Sequence, residues 1–227
     1  MGSNLIIAIV SGGMDSVTMA YMLATRGHPL HLLSFDYGQQ HSKELEYAAK
    51  CAAALSAQHD VIDLSGLKPL LKGSALTDDS IAVPEGHYAD ESMSATVVPN
   101  RNAMMLSIAY AVAVAENAGG VAIGVHAGDH PIYPDCRPRF VAAFDVMEAF
   151  ATEGHGSADL KLITPFINLY KQDIVEAGEG LGVQWADTWS CYQGGDVHCG
   201  KCGTCVERRE AFEIAMVEDP TEYIIRK

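Results

Sequence analysis

The sequence predicts an α/β protein, a doubly wound parallel sheet followed by a small four-cysteine knuckle and a final helix. Three observations carry this. Short apolar runs alternate with helical stretches along most of the chain, the pattern of a parallel sheet covered on both faces. The first apolar run stops at a glycine pair, and a helical stretch follows at once. Four of the six cysteines, Cys191, Cys199, Cys202 and Cys205, lie close together near the C-terminal end. The expected division is an α/β domain over residues 1–189 and a knuckle with its helix over 190–227.

Each element has a local reason. Residues 5–10 are continuously apolar and bounded by glycine, as a strand buried on both faces should be. Residues 17–26 have helical periodicity and stop at Gly27. A second strand is expected at 30–35 and a third at 61–64. Between them, 42–57 is alanine-rich and helical, with Glu44 and Glu46 in its first turn, where carboxylates suit the helix dipole. A long helix over 102–117 ends at Gly119 and Gly120, and a fourth strand follows at 121–125. Further helices are expected at 138–150, at Lys171–Leu181 with Gly182 as its stop, and at 206–217. Segment 71–99 lacks periodicity and reads as a long, mobile insertion over the site. Right-handed crossovers place the loops after the strands on one edge, so 11–16, 36–41 and 126–137 are where a ligand should bind.

Composition narrows the class. With 227 residues, 48% hydrophobic and 19% charged, the chain is globular. No apolar run approaches the roughly 20 residues of a membrane span, and residues 1–10 lack the basic flank and cleavage site of a signal peptide. A cytoplasmic location with no membrane partner is therefore expected. The net charge of −14, from 15 basic and 29 acidic residues, argues against a nucleic-acid partner.

The glycine-rich turn is Ser11-Gly12-Gly13-Met14-Asp15-Ser16. Gly12 and Gly13 let backbone approach an anion, and the amides of the following helix point at it. Ser11 and Ser16 add hydroxyl donors, and Asp15 can cap the helix or hold Mg²⁺. The chain contains no G-x-x-x-x-G-K-[ST] and, at this turn, no G-x-G-x-x-G. An ordinary strand–helix turn would use the same residue types. The strand on one side and the helix on the other favour a loop that grips an anion such as a phosphate.

The cysteines read C-x7-C-x2-C-x2-C. Four thiolates suit tetrahedral Zn²⁺, and four sulfur ligands leave no open position, so the metal would be structural. An iron–sulfur cluster and free thiols are the alternatives. His198 is a candidate neighbour or surface residue rather than a ligand.

The SGGxDS turn resembles the pyrophosphatase loop of the PP-loop ATP pyrophosphatases, an adenine nucleotide alpha hydrolase-like fold. With FDYGQQH at 35–41, VPNRN at 98–102, IYPDCRPRF at 132–140 and the cysteine cluster, it resembles the QueC family over nearly the whole chain. That resemblance implies an ATP-dependent C–N ligase of the 7-cyano-7-deazaguanine synthase type in queuosine biosynthesis. It implies adenylation of 7-carboxy-7-deazaguanine, attack by ammonia, and dehydration of the amide to a nitrile. It further implies a homodimer with one structural zinc per subunit, on the four cysteines.

In such chemistry Arg101 and Arg137 are candidates to hold carboxylate or phosphate charge, and Lys171 to stabilise charge developing on phosphate. Asn102, Asp129 and Asp135 are candidates to read a guanine-like edge. Tyr37, Tyr133 and Phe35 are candidates to stack on a ring or to fill the core. Cys136 has no adjacent base and is not expected to act as a nucleophile. The chain departs from the family pattern in three places. Met14 stands for a glutamine, Gln40 for an arginine, and HAGDHPI at 126–132 (with His126 and His130 as loop histidines expected at the surface) for CETDFSG. The last departure motivates a second expectation, transfer of the activated deazaguanine to an amine of a protein or another molecule. Relatives that act on tRNA are disfavoured by the acidic balance, and a non-enzymatic zinc or nucleotide scaffold would release no pyrophosphate.

Overall fold

The computed structural model describes residues 4–40, 42–88 and 91–224. His41 of the expected 36–41 loop, residues 89–90 of the insertion and the last three residues of the C-terminal unit lie outside them.

Five parallel strands form one sheet in the order β3-β2-β1-β4-β5: β1 Ile6–Ile9, β2 Leu30–Asp36, β3 Gln58–Asp63, β4 Gly120–Ala122 and β5 Leu162–Ile163. The registers Ile6↔Leu30 and Ile6↔Gly120 centre β1 between β2 and β4. Alternation within β1 explains its unbroken apolar run. Ile6, Ala8 and Val10 enter one core, whereas Ile7 and Ile9 enter the other.

The first core is closed by α1 (Met14–Thr25), α2 (Lys43–Leu55), α5 (Lys171–Leu181) and α6 (Gly203–Ile214), with Leu23, Phe166, Ile174 and Phe212 among its buried members. The second is closed by α3 (Arg101–Ala115) and α4 (Pro138–Ala151), with Leu106, Tyr110 and Phe144. Local signals place the ends. Asp173 Oδ2 accepts from Tyr170 N–H at 2.7 Å to start α5, and Gly182 at φ +72° stops it.

Three expectations need correction. β5 was not foreseen; two residues are too few to show periodicity, and it is recognised only by pairing with β4. β3 starts at Gln58, earlier than expected, because its edge position leaves an exposed, polar face that hides the strand signal. Segment 71–99 is not a loose cover. Ser74, Ala75, Thr77, Met93 and Thr96 are buried, and Ala75 N–H donates to Ala95 O at 2.7 Å. Gln40 Nε2 donates to the carbonyls of Ala75 and Asp78, each at 3.0 Å, which ties the segment to the loop after β2. At its far end Gly86 N–H donates to Lys201 O at 3.0 Å, beside an isolated bridge between Glu85 and Cys202.

Candidate active site and metal centre

Strand order reverses between β1 and β4, the switch point where an open α/β sheet forms its crevice. A cavity of about 210 Å³ opens there. The turn after β1 forms its floor. Ser16 Oγ accepts from Ser11 N–H at 3.1 Å and donates to Gly13 O at 3.1 Å, while Gly13 N–H donates to Ser11 Oγ at 3.2 Å. Gly12 has φ +87°, and a Cβ there would meet Ala48 N at 2.8 Å, so α2 packs against bare backbone. Across the crevice a Cβ on Gly124 would sit 3.1 Å from Ser16 N, so a side chain after β4 would crowd the phosphate turn. Asp15 does not cap α1, whose cap residue Gly13 makes no side-chain cap bond.

Instead Asp15 belongs to a charged cluster. Lys171 Nζ lies 3.1 Å from Asp15 Oδ2 and 2.8 Å from Glu207 Oε2. Burial would push the Lys171 ammonium toward neutrality, but Asp15, Glu207 and Asp129 outweigh it and hold its pKa above the ordinary lysine value. Burial raises the Glu207 carboxyl, against Lys171. Asp15 Oδ1 is buried without a hydrogen-bond partner. That free oxygen at the phosphate turn is a suitable ligand for a hard cation.

His126 is not a surface residue; it is 1% exposed. Its Nδ1 accepts from Gly128 N–H at 3.1 Å, so a neutral ring carries its proton on Nε2, which faces Asp129 Oδ1 at 3.5 Å and Asp15 Oδ2 at 3.9 Å. Asp129 in turn accepts from His126 N–H at 3.2 Å and from Tyr88 Oη at 3.1 Å. His130 is likewise only partly exposed, and its Nε2 is buried without a partner.

The opposite wall is aromatic and cationic. Arg101 Nη1 donates to Tyr37 Oη at 3.4 Å, and Tyr133 Oη pairs with Thr96 Oγ1 at 2.6 Å. Phe35, Tyr37 and Tyr133 are buried and line the cavity, so they serve core and site together. Asn102 lines it too, with Nδ2 donating to Asp135 O at 3.4 Å and Cys136 Sγ at 3.3 Å. Burial first, then Asp129 and Asp135, push the Cys136 thiol well up, which leaves it a poor nucleophile.

Two candidates do not line the cavity. Asp135 Oδ2 accepts from Asn102 N–H at 3.0 Å at the start of α3. Arg137 spends its guanidinium on the carbonyls of His130 at 2.8 Å and Pro131 at 3.3 Å, bracing the loop from outside. Two further residues line the cavity, Glu44 from the first turn of α2 and Tyr88 from segment 71–99, and Glu207 reaches its edge through Lys171. Nothing local in the sequence marks these three; the fold brings them in. Met14 is buried in the first core, where an apolar side chain is at home.

The four cysteine Sγ atoms are buried and lie within 4.8 Å of one another. Cys199 Sγ and Cys205 Sγ are 3.9 Å apart, close to the ~3.8 Å edge of a tetrahedron with Zn–S of about 2.3 Å. Cys199 Sγ accepts from the N–H groups of Lys201 at 3.4 Å and Cys202 at 3.3 Å, and Cys191 Sγ from Cys199 N–H at 3.4 Å. Amides aimed at sulfur favour thiolate, so the donor set fits a soft divalent cation such as Zn²⁺. His198 is buried, accepts from Ser190 N–H through Nε2 at 3.1 Å and stacks on Trp189, so it is not a fifth ligand.

With this geometry in view, comparison with known proteins decides the family. The family model described as "Queuosine biosynthesis protein QueC" matches residues 5–216. The chain belongs to the QueC family. Proteins named 7-cyano-7-deazaguanine synthase from Rhizobium johnstonii and Ruegeria pomeroyi are each 55% identical over 217 residues, covering 96% of this chain and 91% and 93% of theirs. One from Sinorhizobium fredii is 57% identical over 217 residues, covering 96% of this chain and 91% of its own. Among solved structures, NMN synthetase from Francisella tularensis superposes with a TM-score of 0.51 at 16% identity, over 96% of this chain and 79% of that one. A likeness at that identity concerns the fold alone. Among the described residues no helix is long and apolar enough to cross a membrane.

Proposed function

We propose that this QueC-family chain makes 7-cyano-7-deazaguanine from 7-carboxy-7-deazaguanine, ammonia and ATP. The observation that carries the reading is that the phosphate turn, Lys171 and Arg101 all open into one cavity. A carboxylate is a poor electrophile. Attack of its oxygen on the α-phosphorus of ATP releases pyrophosphate and leaves an acyl adenylate. Ammonia then adds at the acyl carbon, AMP departs, and the amide results. A second adenylation, on the amide oxygen, followed by loss of AMP and a proton, yields the nitrile.

The residues have matching roles. Backbone N–H groups at 11–16 cradle the phosphates, with Ser11 and Ser16 hydroxyls beside them. Lys171 meets charge developing on the phosphates, and Arg101 meets the substrate carboxylate before its activation. Tyr37 and Tyr133 flank a flat ring, and Asn102 stands beside them. Asp15 would hold Mg²⁺ through its free oxygen, and that ion would neutralise the leaving pyrophosphate. The cysteine knuckle would hold Zn²⁺ for structure alone. A second copy of the chain is the expected partner, and α4 offers it an apolar face, with Val146, Met147 and Phe150 57%, 48% and 74% exposed.

The test is direct. Protein incubated with ATP, 7-carboxy-7-deazaguanine and ammonium should give nitrile by mass spectrometry. Amide without nitrile would count against the second step. A deazaguanine adduct on an added protein amine, with no nitrile, would favour transfer to a protein acceptor.

A further inference from the structure

Three carboxylates line the cavity: Asp15, Asp129 and Glu44. Asp15 is held by Lys171 at 3.1 Å, and Asp129 accepts from Tyr88 and from His126 N–H. Among the described residues, neither oxygen of Glu44 has a hydrogen-bond partner. The amides around it are already committed. Gln39 bonds Tyr37 N–H and Phe35 O, and Gln40 bonds Ala75 O and Asp78 O. Glu44 also lines a smaller recess next to Tyr37 and Tyr192, so it stands where one face of a flat ring would be covered by phenol. Burial pushes its carboxyl up to about 7, against the Arg101 guanidinium, because the protein itself offers this group no hydrogen-bond donor.

The ring proposed to enter has a distinctive edge. A deazaguanine presents ring N1–H and an exocyclic 2-amino group side by side, two donors in one plane. A carboxylate presents two acceptors at matching spacing, and a bidentate charge-assisted pair is the strongest neutral-to-charged match available. An adenine edge offers one amino donor beside a ring-nitrogen lone pair, which a carboxylate would repel.

Resting on the synthase reading above, we propose that Glu44 is the residue that reads the guanine-type edge of the substrate, and so discriminates it from ATP's own base. Asp135, which does not line the cavity, and Asp129, whose two oxygens both accept within the protein, do not take that part. Glu44→Gln removes one acceptor and turns an N–H₂ donor toward a donor.

Binding of 7-carboxy-7-deazaguanine and of ATP to full-length protein is measured separately by calorimetry, alongside the 2-deamino analogue of the acid. In wild type the analogue should bind about 10- to 100-fold more weakly than the acid. In Glu44→Gln the acid should weaken by about the same factor, the gap between acid and analogue should close, and ATP affinity should stay within about twofold. If the variant binds poorly folded or not at all, the wild-type analogue gap still decides. No gap in wild type, or a variant that loses ATP and keeps the gap, overturns the assignment. Wild type that binds ATP yet never binds the acid overturns the synthase reading beneath it.

Discussion

At Lys171 three carboxylates from three different elements meet one ammonium. Asp15 starts α1, Asp129 follows β4 and Glu207 lies on α6. The surplus negative charge keeps the lysine protonated, with Asp15 and Glu207 in direct contact. Lys171→Ala should lower the rate of substrate-dependent pyrophosphate release by about 10²–10³-fold, the usual cost of one preorganised donor at a developing oxyanion. It should also lower the melting temperature, because Asp15 and Glu207 are left facing each other. A variant that keeps the wild-type rate would remove Lys171 from the chemistry. Glu44 supplies a pH signature. Its carboxylate is the form that accepts two donors, so acid affinity should be full above about pH 7 and fall as pH drops below it. Arg101 from α3, Tyr37 from the loop after β2 and Tyr192 from within the knuckle, next to Cys191, face the same group, and Arg101 keeps its charge throughout. Calorimetry in buffers of different ionisation enthalpy should show proton release on binding near neutrality. The phosphate turn was legible in the sequence because strand, glycine pair and helix are contiguous. Glu44, Glu207 and the burial of His126 were not, because each becomes meaningful only through partners tens of residues away.

Among the elements, the cysteine knuckle and α6 behave as a strut. Arg208, fully buried, donates from Nη1 to Thr188 Oγ1 at 2.7 Å and from Nη2 to Trp185 O at 3.2 Å, while Nε pairs with Asp219 at 3.2 Å. On the same helix Glu207 reaches Lys171 at 2.8 Å. The metal should therefore matter to catalysis without touching substrate. Elemental analysis should find one zinc per chain, and a thiol-competing chelator should lower melting temperature and pyrophosphate release together. Stripped protein that retains both would make the cluster dispensable. The cysteine spacing announced the cluster in advance, since four thiolates within one short loop have few other uses. β5 and the packed character of 71–99 were hidden for the opposite reason. A two-residue strand has no period, and the segment's order comes from distant anchors at Gln40 and Lys201.

For the whole molecule, the balance of charge and exposed apolar surface sets the expected assembly. Two copies at −14 each repel at long range, so association needs a dry contact that outweighs the repulsion. The outward face of α4 is where such a contact is available, and a two-fold axis would bring Phe150 of each copy toward the other helix. Phe150→Glu should convert a dimer to a monomer by light scattering, and added salt should strengthen wild-type association by screening the repulsion. A wild-type chain that is monomeric at micromolar concentration would rule this assembly out. The sheet order itself was foreseen only as far as alternation permits. Which strands neighbour β1, and hence where the crevice opens, depends on crossover choices that no stretch of sequence records by itself.

The reach of Glu207 to Lys171 also has a meaning in time. During synthesis the sheet strands, the phosphate turn and Lys171 all emerge before α6 does. A nascent chain can thus complete the turn after β1 while Lys171 still lacks its second anchor. The last helix also carries Ala211 and Phe212 into the first core, so a chain that stops before it leaves both that core and the lysine's second anchor unmade.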